Sequence, residues 1–176
     1  YEMGRLLRTI PSDQKENTLI IFLGDNGTPG KVIQAPYENN RSKGSLHQGG
    51  IHVPLVISGP LVTRKGERDQ SLIHTADIFS TIAEAAGISE SKYFNSQSFY
   101  NTLSNSTLSA RVYNYSEILD NDKPAKSGFT IRNERYKLIV LDNNSYRFYD
   151  LKNDPYEKNN LMNGNLSIEQ QNILDS

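Results

Sequence analysis

The chain has 176 residues, with 19 Lys and Arg against 20 Asp and Glu and a formal charge of −1. That length suits one domain with a real core, or one domain plus a small appendage, and the charge balance gives no support to a nucleic-acid surface. No apolar run is long enough to span a bilayer, and the absence of cysteine removes disulfides, thiolate ligands and a thiol nucleophile.

The first predicted element is a helix: Met3, Leu6, Leu7 and Ile10 fall at i, i+3, i+4 and i+7, one face that must pack on something. Pro11 and Ser12 break it. "TLIIFL" (18–23) is an apolar, β-branched run of the kind found in strands buried on both faces. A helix followed by such a strand suggests a doubly covered parallel sheet, whose ligands bind beyond the carboxyl ends of its strands. "DNG" (25–27) sits at that position. A long polar loop, 28–50, leads to a second strand, "VPLVIS" (53–58), with Pro54 near its start.

"HTADIFSTIAEAAGI" (74–88) reads as a helix with Ile78, Phe79, Ile82, Ala83 and Ala86 on its apolar face and Gly87 as its stop. Residues 91–109 are rich in Ser and Asn and show no firm period. After them "VYNYS", "GFTIRN", "YKLIVL" and "YRFYDL" are short strand-like pieces separated by turn residues, the pattern of an antiparallel meander. Ser167 and Gln170 have capping-box spacing ahead of a closing helix. With no initiator Met and a helical pattern that starts abruptly, the chain is expected to be a piece of a longer protein.

The loop 28–50 is longer than most connections, and it ends in "RSKGSLHQGGIHVP" (41–54). Arg41, Lys43 and His47 cluster there around Gly44, Gly49 and Gly50. Glycines allow close backbone approach and cations suit a sulfate or phosphate. A solvated loop with incidental charge has the same composition.

"NTLIIFLGDNG" followed by "KGSLHQGGIHVP" resembles the paired signature of the sulfatase family, within the alkaline-phosphatase-like superfamily. The family pattern is N-T-apolar-D-N-G, then K-G-x-x-x-E-G-G-I-R-V-P. "HTADIFSTIAEAAGI" resembles the family's helix, D-[LI]-x-P-T-[LI]-x-x-x-A-G. "RNERYKLIV" and "YRFYDLKNDPYEKNNL" resemble its C-terminal segment, where R-x-x-x-Y-K and L-Y-D-L-x-x-D-P-x-E-x-x-N-L recur. Four motifs in order are far more specific than one.

The resemblance implies a parent that hydrolyses sulfate esters, of a sulfated small molecule or carbohydrate, with a formylglycine nucleophile made from the Cys or Ser of a C/S-x-P-x-R motif. A calcium ion on the sulfate oxygens stabilises the developing charge. The family takes its metal ligands from Asp residues near the start of the domain and from the Asp-Asn of D-N-G. Asp25 and Asn26 match that second pair, and Lys43 matches the catalytic lysine that contacts the sulfate. The residue types agree: a carboxylate and an amide carbonyl are hard oxygen donors suited to calcium. Zinc-using relatives in the superfamily put a His where Asn26 stands. A fixed cation at Lys43 follows the general logic of electrostatic catalysis. His47, in the same loop, is a candidate substrate contact.

This sequence departs from the pattern in three places. Gln48 stands for the usual Glu, His52 for the usual Arg and Ser80 for the usual Pro. The chain also holds no C/S-x-P-x-R segment, so it is expected to be inactive alone. His74 reads as a cap or a buried hydrogen bond, and "DPYE" as turn and helix-start chemistry without a metal.

The fold class expected is α/β, a partial alkaline-phosphatase-like sheet with helices (1–110), followed by a small antiparallel β subdomain with a C-terminal helix (111–176). By resemblance the protein is exported, periplasmic or secreted. Two alternatives remain at this point: a phosphonate or phosphodiester hydrolase of the same superfamily, and a non-catalytic binding module.

Overall fold

A computed structural model describes residues 1–88, 93–106, 111–122 and 126–175. The polypeptide forms two compact units, 1–23 with 54–110 and 24–53 with 111–176. Residues 24–53 therefore belong with the C-terminal sheet and not with the strands that flank them in sequence.

The first unit contains α1 (Glu2–Thr9), the single turn α2 (Ser12–Lys15), strands β1 (Ile20–Leu23) and β2 (Leu55–Ser58), and α4 (Asp77–Ala85). The one-turn helix α3 (Gln48–Ile51), between β1 and β2 in sequence, belongs to the second unit. β1 and β2 pair antiparallel, Ile20 opposite Ser58 and Leu23 opposite Leu55. This corrects the parallel arrangement read from the apolar run. Parallel neighbours need a crossover, usually a helix, and the chain between these two strands contains only single turns. β1 is also not buried on both faces, since Phe22 and its register partner Val56 are exposed.

The helix faces differ from the pattern as well. No residue of α1 is buried: of the stripe expected to pack, Met3 and Leu6 are exposed while Leu7 and Ile10 are partly covered. In α4, Ala83 is buried as expected, but Phe79 and Ile82 are half-exposed while Asp77, Ser80 and Thr81 are buried. Hydrogen bonds to the segment after the helix decide its orientation. The Asp77 carboxylate accepts from the backbone N–H groups of His74 (2.7 Å) and Gln97 (2.9 Å). The Thr81 hydroxyl accepts from Phe99 N–H (3.1 Å) and donates to the Asp77 carbonyl (2.7 Å). Phe99 is thereby drawn into the interior.

Ser80, in place of the family's Pro, donates its N–H to the Ser96 hydroxyl at 3.2 Å, a bond that proline lacks. His74 Nδ1 accepts from Ala76 N–H (3.2 Å), an exposed local bond just ahead of α4. Gly87, at φ +79°, ends the helix as read.

The second unit is built on a four-stranded antiparallel meander: β3 (Asn114–Ile118), β4 (Gly128–Arg132), β5 (Tyr136–Leu141) and β6 (Tyr146–Asp150). Register puts Arg132 opposite Lys137, Lys137 opposite Tyr149 and Ile139 opposite Arg147. Because side chains alternate along a strand, these residues share one face of the sheet. Leu46 of the long loop packs on that face with Ile139, Tyr149 and Leu151. The other face carries the stacked pairs Tyr136–Phe148 and Tyr115–Phe129.

The closing helix α5 (Ile168–Asp175) begins with the reciprocal cap expected from sequence. Gln170 N–H donates to Ser167 Oγ (3.2 Å) and Ser167 N–H donates to Gln170 Oε1 (2.9 Å). Arg135 bonds both Asp150 and Glu169, each at 2.9 Å, tying the end of β6 to this helix.

Candidate functional site

Gly27 closes the Asp25-Asn26-Gly27 turn by donating its N–H to the Gly50 carbonyl (2.9 Å), and Lys43 N–H donates to the Thr28 carbonyl (3.0 Å). The two ends of the long loop are therefore zipped together. A Cβ on Gly27 would lie 2.0 Å from the Gly49 carbonyl oxygen, so only glycine permits this approach. Asp25, Asn26 and Lys43 are thus carried by adjoining backbone segments, and all three side chains are exposed. Among the described residues no group of three His, Cys, Asp or Glu side chains gathers to hold a metal ion. Asp25 and Asn26 supply two hard oxygen donors from consecutive positions.

Beyond Lys43 the loop turns inward. The one-turn helix α3 (Gln48–Ile51) starts at His47, and Leu46, His47 and Gln48 are all buried. His47 is 4% exposed; it neither meets solvent freely nor lies on the exposed side of the loop with Lys43. Its Nε2 lies 3.2 Å from Arg147 Nη1. Arginine can only donate, so Nε2 accepts and the ring proton resides on Nδ1, which has no hydrogen-bond partner among the described residues. Burial pushes the imidazole down from 6.5 to about 3, and the charges of Lys137, Arg147 and Arg41 push it the same way. His47 is therefore a neutral histidine at physiological pH.

Arg41, read from composition as a loop cation, has a structural partner. Its guanidinium donates to the backbone carbonyl of Glu157 and pairs with the Glu38 carboxylate at 3.5 Å.

The residue that pattern reading missed is Glu157. It lies in "DPYE", where the Asp154 carboxylate accepts from the Lys158 and Asn159 N–H groups (3.0 and 2.7 Å) and no helix begins. This corrects the helix-start reading; the turn reading holds. Glu157 adopts φ +58° and is 1% exposed. Its Oε1 accepts from Lys137 Nζ and its Oε2 from Gln48 N–H, both at 2.6 Å. Lys137 is fully buried, and burial lowers it from 10.5 to about 8 despite the opposing pull of Glu157. A lysine inside the apolar run "YKLIVL" was the signal available in sequence, because a buried ammonium requires a carboxylate.

The sequence pattern of the N-sulphoglucosamine sulphohydrolase C-terminal family matches residues 41–175, from the cationic loop through the last helix. The chain belongs to that family.

Among curated proteins it is 28% identical to a sulfatase of Formosa agariphila over 91% of this chain and 31% of that protein. It is 26% identical to an N-acetylgalactosamine-6-O-sulfatase of Bacteroides thetaiotaomicron, over 92% of this chain and 36% of that one. The chain thus spans about a third of the length of these relatives. Among solved structures, BT4656, described in complex with its substrate D-glucosamine-2-N,6-O-disulfate, superposes with a TM-score of 0.80. That match has 22% identity and covers 98% of this chain and 36% of that one. The fold is that of the alkaline-phosphatase-like sulfatases. The matched region contains the "KGSLHQGG", "RYK" and "DPYE" motifs, while "DNG" lies ahead of it. No helix of the described residues is long and apolar enough to cross a membrane.

Proposed function

We propose that this chain forms part of an exported sulfatase that hydrolyses sulfate esters of carbohydrates. Asp25 and Asn26 would hold calcium through a carboxylate and an amide oxygen, which suit a hard cation. Calcium takes six to eight oxygens, so the remaining ligands come from elsewhere in the full-length protein, as does the formylglycine nucleophile. Bound there, the ion would supply positive charge for the sulfate oxygens. Lys43 contributes a fixed cation beside the same turn, whereas His47, almost wholly enclosed, holds Arg147 through Nε2 rather than facing substrate.

The observation that carries this reading is the pairing of Gly27 with Gly50 and of Lys43 with Thr28, which keeps the oxygen donors and the lysine on joined segments. Support for a carbohydrate sulfate comes from relatives of that stated specificity, an N-acetylgalactosamine-6-O-sulfatase and an ulvan-active sulfatase. Asn26 favours a calcium sulfatase over a zinc phosphodiesterase, since nitrogen ligands suit zinc and amide oxygens do not.

The test uses the full-length protein with 4-nitrophenyl sulfate and a panel of sulfated saccharides. Asp25→Ala should weaken calcium binding by calorimetry and abolish turnover. Lys43→Ala should lower kcat/KM about 100- to 1,000-fold, the scale of a lost charge-stabilising donor. Unchanged rates in both variants, or a preference for a phosphodiester probe, would overturn the proposal.

A further inference from the structure

We infer that Glu157, supported by Lys137, is a positioning residue for the lysine-bearing loop; the inference rests on the reading of Lys43 as the sulfate contact. One residue of the C-terminal turn grips the loop at two points. Its backbone carbonyl accepts from Arg41 and its carboxylate accepts from the Gln48 N–H. Lys43 lies between those two anchors. Further along, Gly50 accepts from Gly27, so the grip on Gln48 is also a grip on the turn that carries Asp25 and Asn26.

The carboxylate is held in turn by Lys137 Nζ from the middle of the sheet, and both side chains are almost wholly enclosed. Gln48 engages through its backbone, so the contact does not depend on which side chain stands there. The Gln found in place of the family's Glu therefore leaves this anchor intact. A carboxylate acceptor for a backbone N–H is a short, charge-assisted bond, and its removal leaves a buried donor unsatisfied. Small displacements of a catalytic side chain cost rate steeply, about 100-fold for a misplacement near 1 Å.

Single substitutions would strand a buried charge and confuse folding with positioning, so the test uses two double variants of the full-length enzyme. Lys137→Met with Glu157→Gln removes both charges and keeps an oxygen within reach of Gln48 N–H. Lys137→Met with Glu157→Met removes the oxygen as well and preserves volume. Each is assayed with 4-nitrophenyl sulfate, and hydrogen exchange is read at Gln48 and at Ile139 in the sheet. The first variant should keep kcat/KM within about threefold of wild type and retain protection at Gln48. The second should keep protection at Ile139, lose about 10- to 100-fold protection at Gln48, and lose about tenfold or more in kcat, with KM changing less.

Wild-type exchange and kcat in the second variant would overturn the positioning role, as would equal loss of both in the two variants. Lys43→Ala is assayed beside them. If it alone has wild-type kcat/KM, the sulfate-contact reading fails, while the exchange difference still reports whether Glu157 anchors the loop.

Discussion

Acidification should destabilise the second unit through His47 more than through an ordinary histidine. Its imidazole is enclosed among Arg147, Arg41 and the Lys137 ammonium, and burial with those charges holds it at about 3 instead of 6.5. Between those two values the unfolded chain binds a proton that the folded chain refuses, so stability falls as pH falls. At about 1.4 kcal/mol per tenfold change in proton affinity, the full span corresponds to roughly 5 kcal/mol. Between pH 7 and pH 4 the loss attributable to this ring is about 3 kcal/mol.

His47→Gln retains a side-chain acceptor for Arg147 and does not titrate. It should be less stable than wild type at neutral pH and close that gap on acidification. The measurement is the difference in unfolding free energy between the two proteins in urea at pH 7, 5.5 and 4. With only three histidines in the chain, the ring can also be followed directly by NMR. Its resonances should stay those of a neutral Nδ1–H tautomer down to pH 5. A ring that titrates near 6.5, or a stability difference that does not change with pH, would refute the reasoning.

Three further outcomes follow from the structure. Gly27→Ala should lower stability by about 2 kcal/mol or more, because the added methyl meets the Gly49 carbonyl at 2.0 Å; the urea midpoint reads the loss. Lys137→Met alone should cost about 3–5 kcal/mol by stranding the Glu157 carboxylate, and adding Glu157→Gln should recover much of it. Arg5→Ala, which breaks an exposed pair with Glu2 on α1, should change stability by less than about 1 kcal/mol in the same assay.

Much of the second unit was legible in advance because its signals are local. The four strands of the meander appear where β-branched and aromatic runs alternate with turn residues, and the Ser167–Gln170 cap forms as its spacing implied. The first unit was harder. An apolar run such as "TLIIFL" does not say which way its neighbour runs, and the antiparallel pairing with β2 depends on the path taken by the residues between them. The face buried by α4 was also misread, since the hydrogen bonds of Asp77 and Thr81 outweigh the apolar stripe that includes Phe79.

The candidate site divides in the same way. Sequence by itself determined the chemistry on offer: two oxygen donors at Asp25 and Asn26, a cation at Lys43, and glycines where backbones must touch. Only the tertiary structure decided how these are held. It buried His47 and stripped it of charge, brought Gly27 against Gly49 and Gly50, and set Glu157 between Lys137 and the Gln48 N–H. The reason is physical. Donor type is a property of each residue, whereas burial, protonation and hydrogen-bond partnership depend on segments more than a hundred residues apart in the chain.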